Sequence, residues 1–232
     1  MKFYKPFLSF LLMTAFSFSG AASAAPLEVS CIGSPDAKNK IIYLHGADTQ
    51  APGAYEQWTR HHLAVMAKLL DLRIAVPRSN EACPPEALEG FPKGAKTACW
   101  ENQNYDDLIA EVLTARETCF SSEDPYGVIG FSSGGDLLTR WMLFSNKYNA
   151  QPQWFIPVAI ARPYYVSPKI IRDLNSNPKK ITFVFGNEDP GIGRALIRTL
   201  KKTKTETYEI EFDGGHEFSP LWVTHAITQY LR

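Results

Sequence analysis

Short apolar runs of strand length alternate along this chain with helical patterns, and that alternation constrains the fold more than any other feature. Lys40–Leu44, Leu72–Pro77, Tyr126–Phe131, Trp154–Ile160, Ile181–Phe185 and Thr207–Phe212 read as strands. Between the first two, a helix fits Tyr55 to Leu70, with Tyr55, Trp58, His62, Val65 and Leu69 on one side. A second helix carries Tyr105, Leu108, Ile109, Val112 and Leu113 behind Asn104 as N-cap, and Leu137 to Phe144 continue a third after the Tyr126–Phe131 strand. Another ends near Lys201, where the helix dipole favours its lysines. Ser219-Pro220 opens a last one with Val223, Ala226, Ile227 and Tyr230 facing inward. Strands separated by helices lie parallel and are covered on both faces. The fold class is therefore α/β, a mostly parallel sheet with helices on both faces. Reactive groups on such a sheet belong at the carboxyl ends of its strands.

The N-terminus predicts where that domain operates. Lys2 and Lys5 form a basic start, Phe7 to Phe18 is mostly apolar, and Ala22-Ser23-Ala24 supplies small residues for a signal peptidase. Cleavage after Ala24 is expected, leaving residues 25–232 as one exported domain, periplasmic or secreted. About a dozen apolar residues are too few for a bilayer that needs roughly 20, so no stable membrane anchor is expected after cleavage. Val29-Ser30 before Cys31 is a poor lipobox. Acidic and basic residues balance at 24 each, which gives no basic field for nucleic acid.

The chemistry-bearing residues follow the strands. Gly130-Phe131-Ser132-Ser133-Gly134 fits G-x-S-x-G, ends an apolar strand and opens a helix, as a nucleophile elbow does. Ser132 is the predicted nucleophile. A serine hydroxyl needs a base. His61 and His62 fall inside one helix and His225 inside another, while His45 ends the first strand beside Gly46 and is expected to shape a turn. His216, in Asp213-Gly214-Gly215-His216-Glu217, follows the last strand and is the predicted base. Its orienting carboxylate lies in Gly186-Asn187-Glu188-Asp189-Pro190. Asp189 is preferred over Glu188 because the following proline restrains the loop. The order Ser, Asp, His suits this fold. Two preorganised amides must meet an oxyanion, and Ser133 supplies one. The second is expected from Ala47, with Asp48 as the alternative.

These pieces resemble the α/β-hydrolase superfamily. Leu44-His45-Gly46, Gly-Phe-Ser-Ser-Gly-Gly, Gly-Asn-Glu-Asp-Pro and Gly-Gly-His-Glu-Phe are similar to motifs of its small, lidless serine esterases. Those are the carboxylesterase, acyl-protein thioesterase and polyhydroxybutyrate depolymerase-like groups. The resemblance spans about residues 40–232. It implies a minimal fold without a large cap, a triad of Ser132, Asp189 and His216, and a small-molecule or lipid-like ester as substrate. Acyl transfer through an acyl-enzyme needs no metal and no organic cofactor. A peptidase or acyltransferase would use the same constellation, and a binding protein on an inactive hydrolase fold is the reading from a different class. Two departures fall where substrate is chosen. One is the cysteine-bearing 78–104 segment, read as a long loop. The other is the short stretch Pro168–Leu174 in place of a usual helix. Trp100, Tyr164, Tyr165 and Phe218 lie near strand ends and are candidates for pocket walls.

Cys31, Cys83, Cys99 and Cys119 remain after cleavage, and an even number in an exported chain favours disulfides. No C-x-x-C pair suggests zinc. Cys83 and Cys99 share the loop leaving the second strand, whereas Cys31 precedes the first strand and Cys119 ends the helix returning to that level. A bridge spans only about 4 to 7 Å between Cα atoms, so the predicted pairs are Cys83 with Cys99 and Cys31 with Cys119.

Overall fold

The computed structural model describes residues 27–49, 52–85, 91, 93–101, 104–144, 152–160, 162, 164–189 and 192–231. The expected signal peptide, residues 1–24, lies outside them, as does Pro190. Among the described residues, nine strands and six helices follow in the order β1 (Glu28–Ile32), β2 (Asn39–Leu44), β3 (Asp48–Thr49), α1 (Ala54–Leu70), β4 (Leu72–Arg78), β5 (Thr97–Ala98), α2 (Tyr105–Arg116), β6 (Tyr126–Phe131), α3 (Ser133–Leu143), β7 (Trp154–Val158), α4 (Pro168–Ser176), β8 (Lys180–Gly186), α5 (Ile192–Leu200), β9 (Glu206–Phe212) and α6 (Pro220–Thr228). Seven strands form one sheet in the order β1-β4-β2-β6-β7-β8-β9. All its pairs are parallel except β1 against β4.

Period-two alternation divides the core into two layers. Ile42 and Leu44 of β2 face Leu108, Ile109 and Val112 of α2, Leu138 and Trp141 of α3, and Leu196 and Ile197 of α5. Ile41 and Tyr43, one step out of phase, join Leu63 and Met66 of α1 and Val223, Ala226 and Ile227 of α6 on the other face. Every strand of the sheet's interior is therefore buried on both sides, which is why β6 reads as an apolar run and β8 buries Thr182 among apolar residues. No helix among the described residues is long and apolar enough to cross a membrane.

The structure corrects four details. Helix α1 buries Glu56, Thr59, Leu63, Met66 and Ala67, not the stripe through Tyr55, Trp58, Val65 and Leu69, which is exposed. Two polar residues on the buried face hide that periodicity. Arg60 pairs with Glu56 at 3.1 Å, and the Thr59 hydroxyl donates to the Tyr55 carbonyl. Residues 78–104 are not all loop, because Thr97–Ala98 pairs antiparallel with Asp48–Thr49. Cys31 lies inside edge strand β1, not ahead of the first strand. Pro168 starts a true helix, capped by the Ser167 hydroxyl, which accepts from the Ile170 amide.

Candidate active site

Ser132 sits between β6 and α3 at φ 51° and ψ −117°. A non-glycine residue at positive φ is strained, and such strain persists only where surrounding structure fixes it. Here the Ser132 amide donates to the Val158 carbonyl of β7 at 3.0 Å, and its own carbonyl accepts from Asp136 at 2.9 Å. Gly134 explains part of the sequence requirement. A Cβ there would lie 2.3 Å from the Leu44 carbonyl oxygen, so α3 can approach the end of β2 only without a side chain. The result lifts the serine out of the sheet at its carboxyl edge.

His216 and Asp189 arrive from the two loops that follow β9 and β8. Those loops are laced together. The Asn187 amide donates to Phe212, the Glu188 amide to Gly214, and the Gly214 amide to the Asn187 side chain. Gly186 permits the contact, since a Cβ there would lie 2.1 Å from the Gly214 carbonyl oxygen. The Ser132 hydroxyl lies 2.9 Å from His216 Nε2, and Nδ1 of the same ring lies 3.1 Å from Asp189 Oδ1. Asp189 is only 7% exposed, whereas Glu188 points into solvent. Burial behind the imidazole is what separates the two neighbouring carboxylates. A hydroxyl aligned on an imidazole backed by a carboxylate can lose its proton as it attacks.

The two other predicted residues flank this line. Ser133 is the first residue of α3, so its amide is one of the helix's unpaired first-turn donors, at the positive end of the dipole. Ala47 follows β2 in the segment His45-Gly46-Ala47, which ends beside the elbow. Asp48 does not point at an oxyanion. Its carboxylate accepts from the amides of Thr49 (2.8 Å) and Gly53 (3.1 Å) and pairs with Arg78 at 3.4 Å, pinning the chain just before α1.

Sequence reasoning left His45 as a turn residue; the structure makes it a buried strut. The ring is fully buried, 5.1 Å from the ring of Trp100. Its Nδ1 lies 2.5 Å from the Gly46 carbonyl, and Nε2 accepts from the Ser79 amide at 3.1 Å. Both bonds suit a neutral imidazole with its proton on Nδ1. Burial, with the nearby Arg78 and Arg60 cations adding to it, lowers its pKa from 6.5 to about 3, although the Gly46 bond opposes the shift. From Ser79 the support continues outward. The Ser79 hydroxyl donates to the Cys99 carbonyl, the Cys99 amide to Glu81, and the Cys83 amide to the Thr97 hydroxyl. No local pattern marks this role, because the partner at Ser79 lies 34 residues away.

Cys83 is bonded to Cys99 with Cα atoms 4.9 Å apart, and Cys31 to Cys119 at 5.4 Å. The first closes the loop beneath which His45 and Trp100 pack. The second ties edge strand β1 to the segment after α2. Of the four aromatic candidates, Trp100 is core, Phe218 is buried with one edge in a surface groove, and Tyr164 donates its hydroxyl to the Asp136 carbonyl. Tyr165 is 84% exposed.

Similar architectures are known. The Bacillus cereus carboxylesterase superimposes with a TM-score of 0.60 at 16% identity, covering 89% of this chain and 94% of that one. A SOBER1 variant from Arabidopsis thaliana gives 0.60 at 16% identity over 84% of this chain and 99% of its own. A CIB-like hydrolase from Thermoplasma acidophilum gives 0.56 at 16% identity, covering 88% and 97%. At these identities the likeness shows a shared α/β-hydrolase fold. No functionally curated protein matches the chain in sequence. The family model described as serine hydrolase (FSH1) matches residues 34–220, so the chain belongs to the FSH1 serine hydrolase family.

Proposed function

We propose that the protein is an exported esterase that cleaves carboxylic esters through an acyl-enzyme on Ser132. The observation that carries this reading is the unbroken line from the Ser132 hydroxyl through His216 to buried Asp189, at 2.9 and 3.1 Å. Ser132 Oγ attacks the ester carbonyl carbon while His216 Nε2 takes its proton. Asp189 holds the ring and stabilises the imidazolium. The Ser133 and Ala47 amides donate to the oxyanion, and His216 then returns its proton to the departing alcohol. Water repeats the sequence on the acyl-enzyme, freeing the acid and Ser132.

Export is supported by two disulfides among the described residues, since such bonds persist in oxidising compartments. The ester reading draws on the carboxylesterase of the same fold and on the accessibility of His216, whose side chain is 38% exposed. Peptidase and acyltransferase chemistry would use the same residues, and one experiment separates the three. The purified protein is given p-nitrophenyl esters of increasing acyl length, peptide substrates, and an ester with an added alcohol acceptor. Ester hydrolysis that is absent in Ser132→Ala supports the proposal. Faster turnover of peptides, or transfer to the alcohol over water, overturns it in favour of the corresponding rival.

A further inference from the structure

We infer that the groove between the start of α1 and the start of α6 is the leaving-group subsite, and that it selects esters of uncharged, aromatic alcohols. The inference rests on the proposed ester hydrolysis and names the substrate side of that same site.

The groove has a volume of about 460 Å³ and is lined by Tyr55, Trp58, Glu217, Phe218, Ser219 and Pro220. Three of these six are aromatic, and two are large apolar side chains left in solvent, Tyr55 at 46% and Trp58 at 42% exposed. They lie on the α1 stripe outside its buried face, with Tyr55 against the Phe131 ring and Trp58 against the His62 ring. The rings are ordered rather than scattered. Tyr55 lies 5.6 Å from Trp58, and the Tyr55 hydroxyl accepts from the Phe218 amide at 2.7 Å, which fixes the two walls of the groove to each other. Exposed aromatic surface held rigid in a concavity is what a stacking ligand requires.

Position relative to the reaction decides which half of the substrate lies there. With the ester carbonyl oxygen on the Ser133 and Ala47 amides, the alkoxy oxygen must face His216 Nε2 to receive its proton. The alcohol therefore leaves on the imidazole side. The groove begins on that side, because its wall starts at Glu217, the residue after His216. Phe131 bridges the two, with its ring 5.7 Å from His216 and 5.7 Å from Tyr55. Charge narrows the class further. The exposed Glu217 stands at the rim, and none of the groove's described lining residues is cationic, so an anionic alcohol is disfavoured.

The test compares benzyl acetate with methyl acetate, which share an acyl group and differ only in the alcohol. Wild type prefers the benzyl ester in kcat/KM. In Trp58→Ala that preference falls about tenfold, the scale of a lost aromatic stacking contact with its buried area. Trp58→Phe restores most of it. The loss falls on acylation, read from the pre-steady-state rate, because the acyl-enzyme has already released its alcohol. An acetyl ester of 4-(hydroxymethyl)benzoate is a poor substrate that Glu217→Gln improves. An equal loss for both acetates, or a loss that grows with acyl length in place of alcohol size, overturns the subsite. Fluorophosphonate titration of Ser132 keeps the two levels apart. Wild type that takes the probe yet shows no benzyl preference refutes the groove alone, while wild type that takes no probe and hydrolyses neither acetate refutes the esterase reading as well.

Discussion

Two histidines stand at the same edge of the same sheet, and the structure gives them opposite characters. His45 ends β2 and is sealed under Trp100, bonded on both ring nitrogens to backbone, and unable to hold a proton above a pH of about 3. His216 follows β9, stays partly in solvent, and reaches a hydroxyl with one nitrogen and a carboxylate with the other. Residue type and strand end are shared, so neither decides the role. Burial and partners do. A base must exchange protons with substrate and solvent, whereas a strut must not.

Removing the exposed member should produce the largest effect. His216→Ala is expected to lower ester turnover by on the order of 10⁴-fold or more, since nucleophile and base act as a unit. His45→Gln should retain far more activity in the same assay. Comparable losses from the two changes would break the distinction. Next comes the carboxylate. Asp189→Asn should reduce kcat by roughly 10³- to 10⁴-fold by leaving the imidazole in the wrong tautomer, while Glu188→Gln changes little. A damaging Glu188 variant with a mild Asp189 variant would move the acid to the other loop residue.

The brace around His45 makes the third prediction. Replacing Cys83 and Cys99 together by serine should cost about 3 kcal/mol in the chain-entropy model, read as a lower midpoint in urea. Activity at low temperature should fall less than stability. The Cys31 to Cys119 bridge, which closes the longer loop across 88 residues, should cost somewhat more in the same measurement.

A smaller effect concerns pH. Between pH 6.5 and 3 the unfolded chain protonates His45 while the folded one refuses the proton, so this group's contribution to stability is lost as pH falls from 6.5. Glu56 acts in the other direction. Burial, opposed by the Arg60 cation, raises its pKa from 4.5 to about 7, so the fold holds a proton there that the unfolded chain releases. That contribution is lost as pH rises from 4.5 through 7. Each amounts to about 2 kcal/mol between pH 5 and 7. They offset in the intact protein, and the variants uncover them. Thermal unfolding should show His45→Gln gaining stability at pH 5 relative to pH 7, and Glu56→Gln losing it. Parallel shifts at both pH values would mean that neither group titrates across that range on folding.

The legible parts of the sequence share one property, which is locality. G-x-S-x-G can be read because the elbow is five consecutive residues between an apolar strand and a helix. The parallel strands can be read because burial on both faces leaves mostly apolar runs, as in Tyr126–Phe131. What was misread depends on pairings that hydrophobic periodicity does not register. The inward face of α1 holds Glu56 and Thr59, and only their pairing with Arg60 and the Tyr55 carbonyl makes that face acceptable in the core. The β3 and β5 pair consists of two residues on each side, too short for any periodicity. His45 could be seen at the end of a strand, but its strut role needs the Ser79 amide and the loop closed by Cys83 and Cys99.

Everything proposed for the site depends on Ser132 being the nucleophile. The direct measurement is intact-mass analysis and peptide mapping after treatment with a fluorophosphonate probe, on wild type, Ser132→Ala and His216→Ala. The account predicts one adduct on wild type, mapped to Ser132, none on Ser132→Ala, and greatly slowed labelling of His216→Ala. An adduct on another residue, or undiminished labelling of Ser132→Ala, would contradict it.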